Sequence, residues 1–229
     1  MVKVNKSDVV ITAGDVFLEG MLAVPGDVCG IVAFAHGSGS SRFSRRNQGV
    51  ARQLNEAGLA TLLFDLLSAD ENARDAVTAE YRFDIPLLAE RLAQAVDWLA
   101  RDPATRTFPV GLFGASTGAA AALIAAAERP ARVRAVVSRG GRPDLAGEAL
   151  GRVRAATLLI VGGADIPVIG LNEQAAARLS CPHQLVIVPG ATHLFEEPGA
   201  LEQVSKLASD WFRRHFASQL HLAKAAGHG

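Results

Sequence analysis

The sequence predicts an α/β fold, a mostly parallel sheet with helices packed on both faces. Three observations predict it. Short apolar runs alternate with stretches of helical spacing along most of the chain, and strands separated by helices join into a parallel sheet through right-handed crossovers. The inner runs, Ile31–Ala35 among them, are continuously apolar rather than alternating, which is the pattern of strands covered on both faces. Several of these runs empty into glycines and small polar residues, at the carboxyl ends of strands where open α/β sheets bind ligands.

Composition narrows the class. A chain of 229 residues with 49% hydrophobic and 20% charged side chains can bury one substantial core, so residues 1–216 read as a single domain. Lysine plus arginine equals aspartate plus glutamate at 23 each, and no overall field argues for nucleic acid or an anionic membrane as partner. Cys29 and Cys181 lie far apart, outside any spacing that suggests a disulfide framework or a zinc cluster. The first residues are too polar for a signal peptide, and no apolar run approaches the roughly 20 residues of a membrane span. The expected address is the cytoplasm, and the oligomeric state is left open, a homodimer included.

The elements follow in order. Residues 8–24 alternate around Gly14-Asp15, predicting a hairpin that pairs residues 9–11 with 17–22. Ile31–Ala35 is a buried strand that ends in His36-Gly37-Ser38-Gly39-Ser40-Ser41. Residues 45–58 carry Val50, Ala51, Leu54 and Ala57 at helical spacing, with Gly58 placed to stop the helix. Residues 59–65 form the next buried strand. Residues 66–83 are polar and weakly patterned, which predicts a mobile loop that could border a pocket. Helical spacing resumes over residues 84–100 through Leu87, Leu88, Leu92, Val96 and Leu99.

Further on, a short strand over residues 110–113 runs into Gly114-Ala115-Ser116-Thr117-Gly118 and an alanine-rich helix. Residues 133–141 and 157–165 repeat the design of apolar strand, glycines and polar end, with a short helix near residues 145–153 between them and no room for a large cap domain. A helix over residues 168–179, a last strand over 184–188 and a closing amphipathic helix over 198–216 complete the domain. Residues 217–229 read as a flexible tail.

The segment around Ser116 carries the chemistry. In a G-x-S-x-G turn between strand and helix the serine is held in a strained conformation, and the glycines at 114 and 118 avoid collisions with neighbouring backbone. The helix that starts just after Ser116 turns its free amides and positive dipole end toward any oxyanion formed beside the hydroxyl. A serine that attacks an ester needs a base, and histidine suits neutral pH. Of six histidines, His193 follows the last strand in Gly190-Ala191-Thr192-His193-Leu194-Phe195 and can reach back over the sheet. His183, His215, His221 and His228 have poorer addresses. Asp165 comes between serine and histidine, in the order expected for such a site, and is preferred over Asp144, which reads as a cap on the short helix that follows it.

An oxyanion hole needs two amides. Thr117 supplies one, and Ser38 is preferred over Gly37 or Gly39 for the other. As a phosphate cradle the His36–Ser41 loop lacks the lysine of a P-loop.

His36-Gly37-Ser38-Gly39-Ser40-Ser41-Arg42, Gly114-Ala115-Ser116-Thr117-Gly118-Ala119, Ser138-Arg139-Gly140-Gly141-Arg142-Pro143-Asp144 and the His193 segment together resemble the α/β-hydrolase superfamily, and within it the dienelactone hydrolase-like branch. The resemblance covers nearly the whole chain. It implies the α/β-hydrolase fold with a sheet of about eight strands and no large cap, no cofactor and no metal, and Ser116, Asp165 and His193 at the triad positions. True dienelactone hydrolases carry a cysteine nucleophile and a glutamate near the end of the oxyanion strand. Here Ser116 and His36 stand there, so the implied activity is a carboxylesterase acting on small esters or lactones. An acyltransferase or perhydrolase with the same triad, or a silent binding module on the same fold, is the alternative.

Arg42, Arg82, Arg139 and Arg142 are expected near the mouth. They could pair with Asp65, Asp84 or Asp144, or Arg42 or Arg139 could grip a substrate carboxylate with two parallel hydrogen bonds. His36 reads as a residue that shapes the oxyanion loop, with substrate contact as its other possible role.

Overall fold

The computed structural model describes residues 3–226, with the side chains of 218–226 set aside. Its order is β1 (Val4–Ala13), β2 (Val16–Pro25), β3 (Ile31–Ala35), α1 (Arg45–Glu56), β4 (Ala60–Phe64), α2 (Ala69–Thr78), α3 (Ile85–Leu99), β5 (Val110–Ala115), α4 (Thr117–Glu128) and β6 (Val133–Arg139). A 3₁₀ segment (Pro143–Arg152), β7 (Ala156–Gly162), α5 (Ile166–Ala176), β8 (His183–Val188) and α6 (Ala200–Ala226) follow.

The strands form one eight-stranded sheet in the order β1-β2-β4-β3-β5-β6-β7-β8. The β1–β2 and β2–β4 pairs are antiparallel and the remaining pairs parallel. Every residue of β3, β4, β5 and β7 is buried, as continuous apolar runs require. On one face Val50 and Leu54 of α1 and Val204, Phe212 and Phe216 of α6 pack on Phe34 and Phe113. On the other, Leu88, Leu92 and Val96 of α3 and the alanines of α4 pack on Leu62, Leu112 and Val136. The alanines let α4 lie close beneath the sheet, so the residue at its start is placed with little slack.

The hairpin is longer than its alternating core suggests, with Val4 opposite Pro25 and Ala13 opposite Val16 across the Gly14-Asp15 turn. The larger correction lies in residues 66–83. Instead of a mobile loop they contain α2, capped by Ser68 and Glu71 in a reciprocal box. Hydrophobic spacing misses this helix because its one buried residue is a carboxylate, Asp75. That carboxylate accepts hydrogen bonds from the amides of Tyr81 and Arg82 and from Arg82 Nε, at 2.8, 2.9 and 2.8 Å, and pins the return of the chain into α3.

The short helix near residues 145–153 is a 3₁₀ segment broken at Gly147 (φ +54°). It is all that separates β6 from the loop into β7, and among the described residues there is no large cap domain. Helix α6 continues past Phe216 to Ala226, further than its apolar spacing carries. The rest of the expected tail, residues 227–229, lies outside the described residues. Among the described residues no helix is long and apolar enough to cross a membrane.

Candidate active site

Ser116 sits between β5 and α4 with φ +52° and ψ −122°, a backbone region that costs a residue with a side chain of order 1–3 kcal/mol. The surroundings hold it there. The Ser116 amide donates to the Arg139 carbonyl at 3.2 Å, and the Ser116 carbonyl accepts from the Arg142 amide at 3.0 Å. A Cβ on Gly114 would stand 2.4 Å from Ala119 Cα, and one on Gly118 2.3 Å from the Ala35 carbonyl oxygen. Both glycines are therefore demanded by the approach of β3, β5 and α4, as the turn's sequence predicts.

Two loops bring partners to the serine. His193 Nε2 lies 3.3 Å from Ser116 Oγ, and His193 Nδ1 lies 2.7 Å from Asp165 Oδ2. Asp165 stands at the N-cap position of α5 but makes no side-chain cap bond to that helix; its carboxylate is turned to the imidazole instead. The loop that carries His193 rests on two glycines. A Cβ on Gly162 would meet the Ala191 carbonyl oxygen at 2.3 Å, and one on Gly140 the His193 carbonyl oxygen at 2.9 Å. Phe195, fully buried with φ +57°, anchors the far end of the loop in the core. An imidazole with a carboxylate on one nitrogen and a hydroxyl on the other is the arrangement that takes a proton from the hydroxyl while the carboxylate fixes its tautomer.

The loop after β3 lies against the serine, where a Cβ on Gly37 would come within 3.2 Å of Ser116 Cβ. The Ser38 amide donates to Thr117 Oγ1 at 3.0 Å. Ser38 Oγ donates to the Arg82 carbonyl at 2.9 Å and lies 2.8 Å from Thr117 Oγ1, so the Thr117 hydroxyl proton points to Ser38 Oγ. The Ser38 amide, expected from the sequence to serve an oxyanion, is thus covered by the side chain of Thr117, the other residue expected to do so.

His36 is buried and does not line the cavity. Its Nε2 accepts from the Leu66 amide at 3.1 Å, which leaves Nδ1 as the donor to the Gly37 carbonyl at 3.0 Å. Burial lowers its pKa, outweighing the Gly37 carbonyl and the Asp65 charge, and the ring bridges the loop after β3 and the Leu66 amide just past β4. Arg42 is likewise turned away from the cavity, its guanidinium paired with Asp65 and Glu19 and its amide 2.7 Å from Asp65 Oδ1. Arg82 pairs with Asp75 at 2.8 Å. Asp144 lies within the 3₁₀ segment rather than capping it, and takes Arg142 in a two-point contact at 2.9 and 2.8 Å.

Arg139 differs from all of these. It is buried and lines a cavity of about 420 Å³ together with Ser116, Thr117, His193, Arg46 and Arg142. Burial pulls its guanidinium down to about 10, and the neighbouring Arg46 charge adds to the fall. Arg46, at the start of α1, is a pocket residue that the sequence reading missed, because helical spacing marks only the apolar face of α1. A larger cavity of about 1010 Å³ lies between the hairpin and α1, away from the serine. Among the described residues no group of three or more His, Cys, Asp or Glu side chains is arranged to hold a metal ion.

The dienelactone hydrolase family model matches residues 18–219. The chain belongs to the dienelactone hydrolase family. A dienelactone hydrolase from Anabaena variabilis is 57% identical and superposes with a TM-score of 0.92, covering 93% of this chain and 98% of that one. Est1E from Butyrivibrio proteoclasticus, at 17% identity with a TM-score of 0.73 over 92% of this chain and 99% of its own, shares the fold. Two curated relatives from strains of Mycobacterium tuberculosis are each 60% identical over 208 residues, 91% of this chain. They are provisionally named phosphoribosyl transferases, and this chain spans about half of their length, 46%. Membership of the family gives the chain the α/β-hydrolase fold.

Proposed function

We propose that this family member is a serine hydrolase of the carboxylesterase type that cleaves small carboxylic esters or lactones through an acyl-enzyme on Ser116. The observation that carries the reading is the hydrogen-bonded line from Asp165 Oδ2 through the His193 ring to Ser116 Oγ, at 2.7 and 3.3 Å, at the floor of an uncapped cavity. Ser116 Oγ attacks the carbonyl carbon while His193 Nε2 takes its proton. The C–O bond to the leaving group breaks as His193 returns that proton to the departing alkoxide, and water, deprotonated by the same imidazole, then releases the acid and frees the serine.

The developing oxyanion is held by the Thr117 amide at the start of α4 and by the Ser38 amide once the Thr117 hydroxyl has swung off it. Each such donor is worth on the order of 10²–10³ in rate. The apolar wall offered by Phe83, Val168 and Leu194 is small, with Phe83 and Leu194 exposed at the rim, which favours short acyl groups over long ones. The curated relatives' transferase name is borne by chains about twice as long, and nothing in this site calls for that activity here.

The deciding experiment is hydrolysis of p-nitrophenyl acetate and butyrate at neutral pH by the wild type beside Ser116→Ala. Turnover that falls by about 10⁴ or more in the variant is expected. Turnover that survives the substitution overturns the reading. If neither protein turns over these esters, labelling of Ser116 by a fluorophosphonate probe separates an active serine with a narrow substrate range from a silent fold, which would leave the serine unlabelled.

A further inference from the structure

The cavity above Ser116 is lined by three arginines, Arg46, Arg139 and Arg142, and by no aspartate or glutamate. Two of the three have carboxylates outside it. Arg142 is held by Asp144, and Arg46 reaches Glu196 at 2.8 Å in a pair exposed to water on both sides, an arrangement worth little. Arg139 has none. It is 7% exposed, its Nε and Nη1 have no hydrogen-bond partner, and Nη2 touches only the Asn47 side-chain oxygen at 3.5 Å. Arg46 Nε is unpartnered as well.

A buried, uncompensated cation is among the costliest features a fold can carry. Here it faces the cavity at the reacting serine, beside a second guanidinium. The first turn of α1 points the same way, since Ser44, Arg46 and Asn47 all line the cavity, and a helix N-terminus favours anions, phosphate above all. A carboxylate has two oxygens, which the fork of one arginine satisfies. Three oxygens and up to two charges are what Arg139, Arg46 and the α1 terminus can take together.

We propose that Arg139, Arg46 and the first turn of α1 form a phosphate subsite, so that the substrate is an ester bearing a phosphate monoester group a short distance from the bond that Ser116 attacks. The inference rests on the hydrolase reading for the ester bond. The phosphate itself takes no part in the reaction and fixes the substrate's orientation.

The test is calorimetric titration of the full chain with inorganic phosphate at neutral pH, with sodium acetate in a parallel titration at the same ionic strength. One phosphate per chain is expected, with acetate at least about tenfold weaker. Arg139→Gln and Arg46→Gln are each expected to weaken phosphate by about tenfold or more, the size of a lost charge-assisted hydrogen bond. Arg46 is half-exposed at a helix start, so its variant tests the subsite even if Arg139→Gln fails to fold. Absence of phosphate binding to the wild type overturns the proposal, as does binding left unchanged by Arg46→Gln. Acetate binding as tightly as phosphate overturns the phosphate assignment. The readout does not depend on turnover. Phosphate binding by a chain whose Ser116 is not labelled by the fluorophosphonate probe sinks the hydrolase reading and keeps the subsite, and hydrolysis or labelling without phosphate binding does the reverse.

Discussion

The Thr117 hydroxyl covers the Ser38 amide, with Ser38 N 3.0 Å from Thr117 Oγ1. The two residues expected to share an oxyanion are hydrogen-bonded to each other in the free protein, and Ser38 Oγ passes the contact on to the Arg82 carbonyl. On the proposed mechanism the hydroxyl must rotate away before the Ser38 amide can serve the acyl oxygen.

Replacing Thr117 by valine keeps the shape and removes the competing acceptor. A net hydrogen bond is worth about 1 kcal/mol, so Thr117→Val is expected to raise kcat/KM for p-nitrophenyl acetate by about fivefold. A fall of tenfold or more would show that the hydroxyl positions the loop and does not mask the amide.

Asp165 spends its carboxylate on His193 and leaves α5 without a side-chain cap. Asp165→Asn keeps the size but favours the wrong tautomer of the imidazole. Turnover should fall by about 10⁴, while the thermal midpoint changes little because no helix bond is lost. A fall below about tenfold, read from steady-state kinetics, would remove Asp165 from the proposed triad.

Gly162 tests how His193, the proposed base, is placed. A Cβ there would stand 2.3 Å from the Ala191 carbonyl oxygen and 2.6 Å from that of Thr192, so Gly162→Ala pushes the His193 loop off the end of β7. We expect a stability loss of about 1–3 kcal/mol by urea unfolding and an activity loss of about 10², since small misplacements of a base are costly. Full activity in the folded variant would mean that His193 is positioned from Phe195 alone.

Asp75 gives a pH dependence. Desolvation raises its pKa, but the Arg82 and Tyr81 amides and the Arg82 guanidinium outweigh it and hold the carboxyl below its ordinary value. A carboxyl depressed in the folded state stabilises above its unfolded pKa of about 3.9 and loses that contribution as pH falls through the folded value. Asp75→Asn should therefore lower the urea midpoint at pH 7, and the gap to wild type should close as pH drops below the ordinary carboxylate range. A gap that is the same at pH 7 and in acid would exclude ionisation as its source.

Much of this protein was legible in the chain alone, and for a local reason. Continuous apolar runs such as Ile31–Ala35 have no stable place except inside a covered parallel sheet, and Gly114 is dictated by Gly118 and Ala119 in the turn and helix that follow it, whereas Gly118 answers to the Ala35 and His36 carbonyls at the end of β3. The order Ser116, Asp165, His193 places each residue at the end of a strand, and in a parallel sheet those ends share one edge. Helix α2 escaped because it buries Asp75 and no apolar stripe, so the period that betrays other helices is missing.

What only the tertiary structure decided is which polar groups find each other, since pairing depends on distances between segments remote in sequence. Arg42, Arg82, Arg139 and Arg142 look alike in the sequence. Folding gives Arg42 to Asp65 and Glu19, Arg82 to Asp75 and Arg142 to Asp144, and it leaves Arg139 buried at the serine beside Arg46 without a carboxylate. The Thr117 hydroxyl on the Ser38 amide is of the same kind, a contact between residues on two different elements that neither element's pattern encodes.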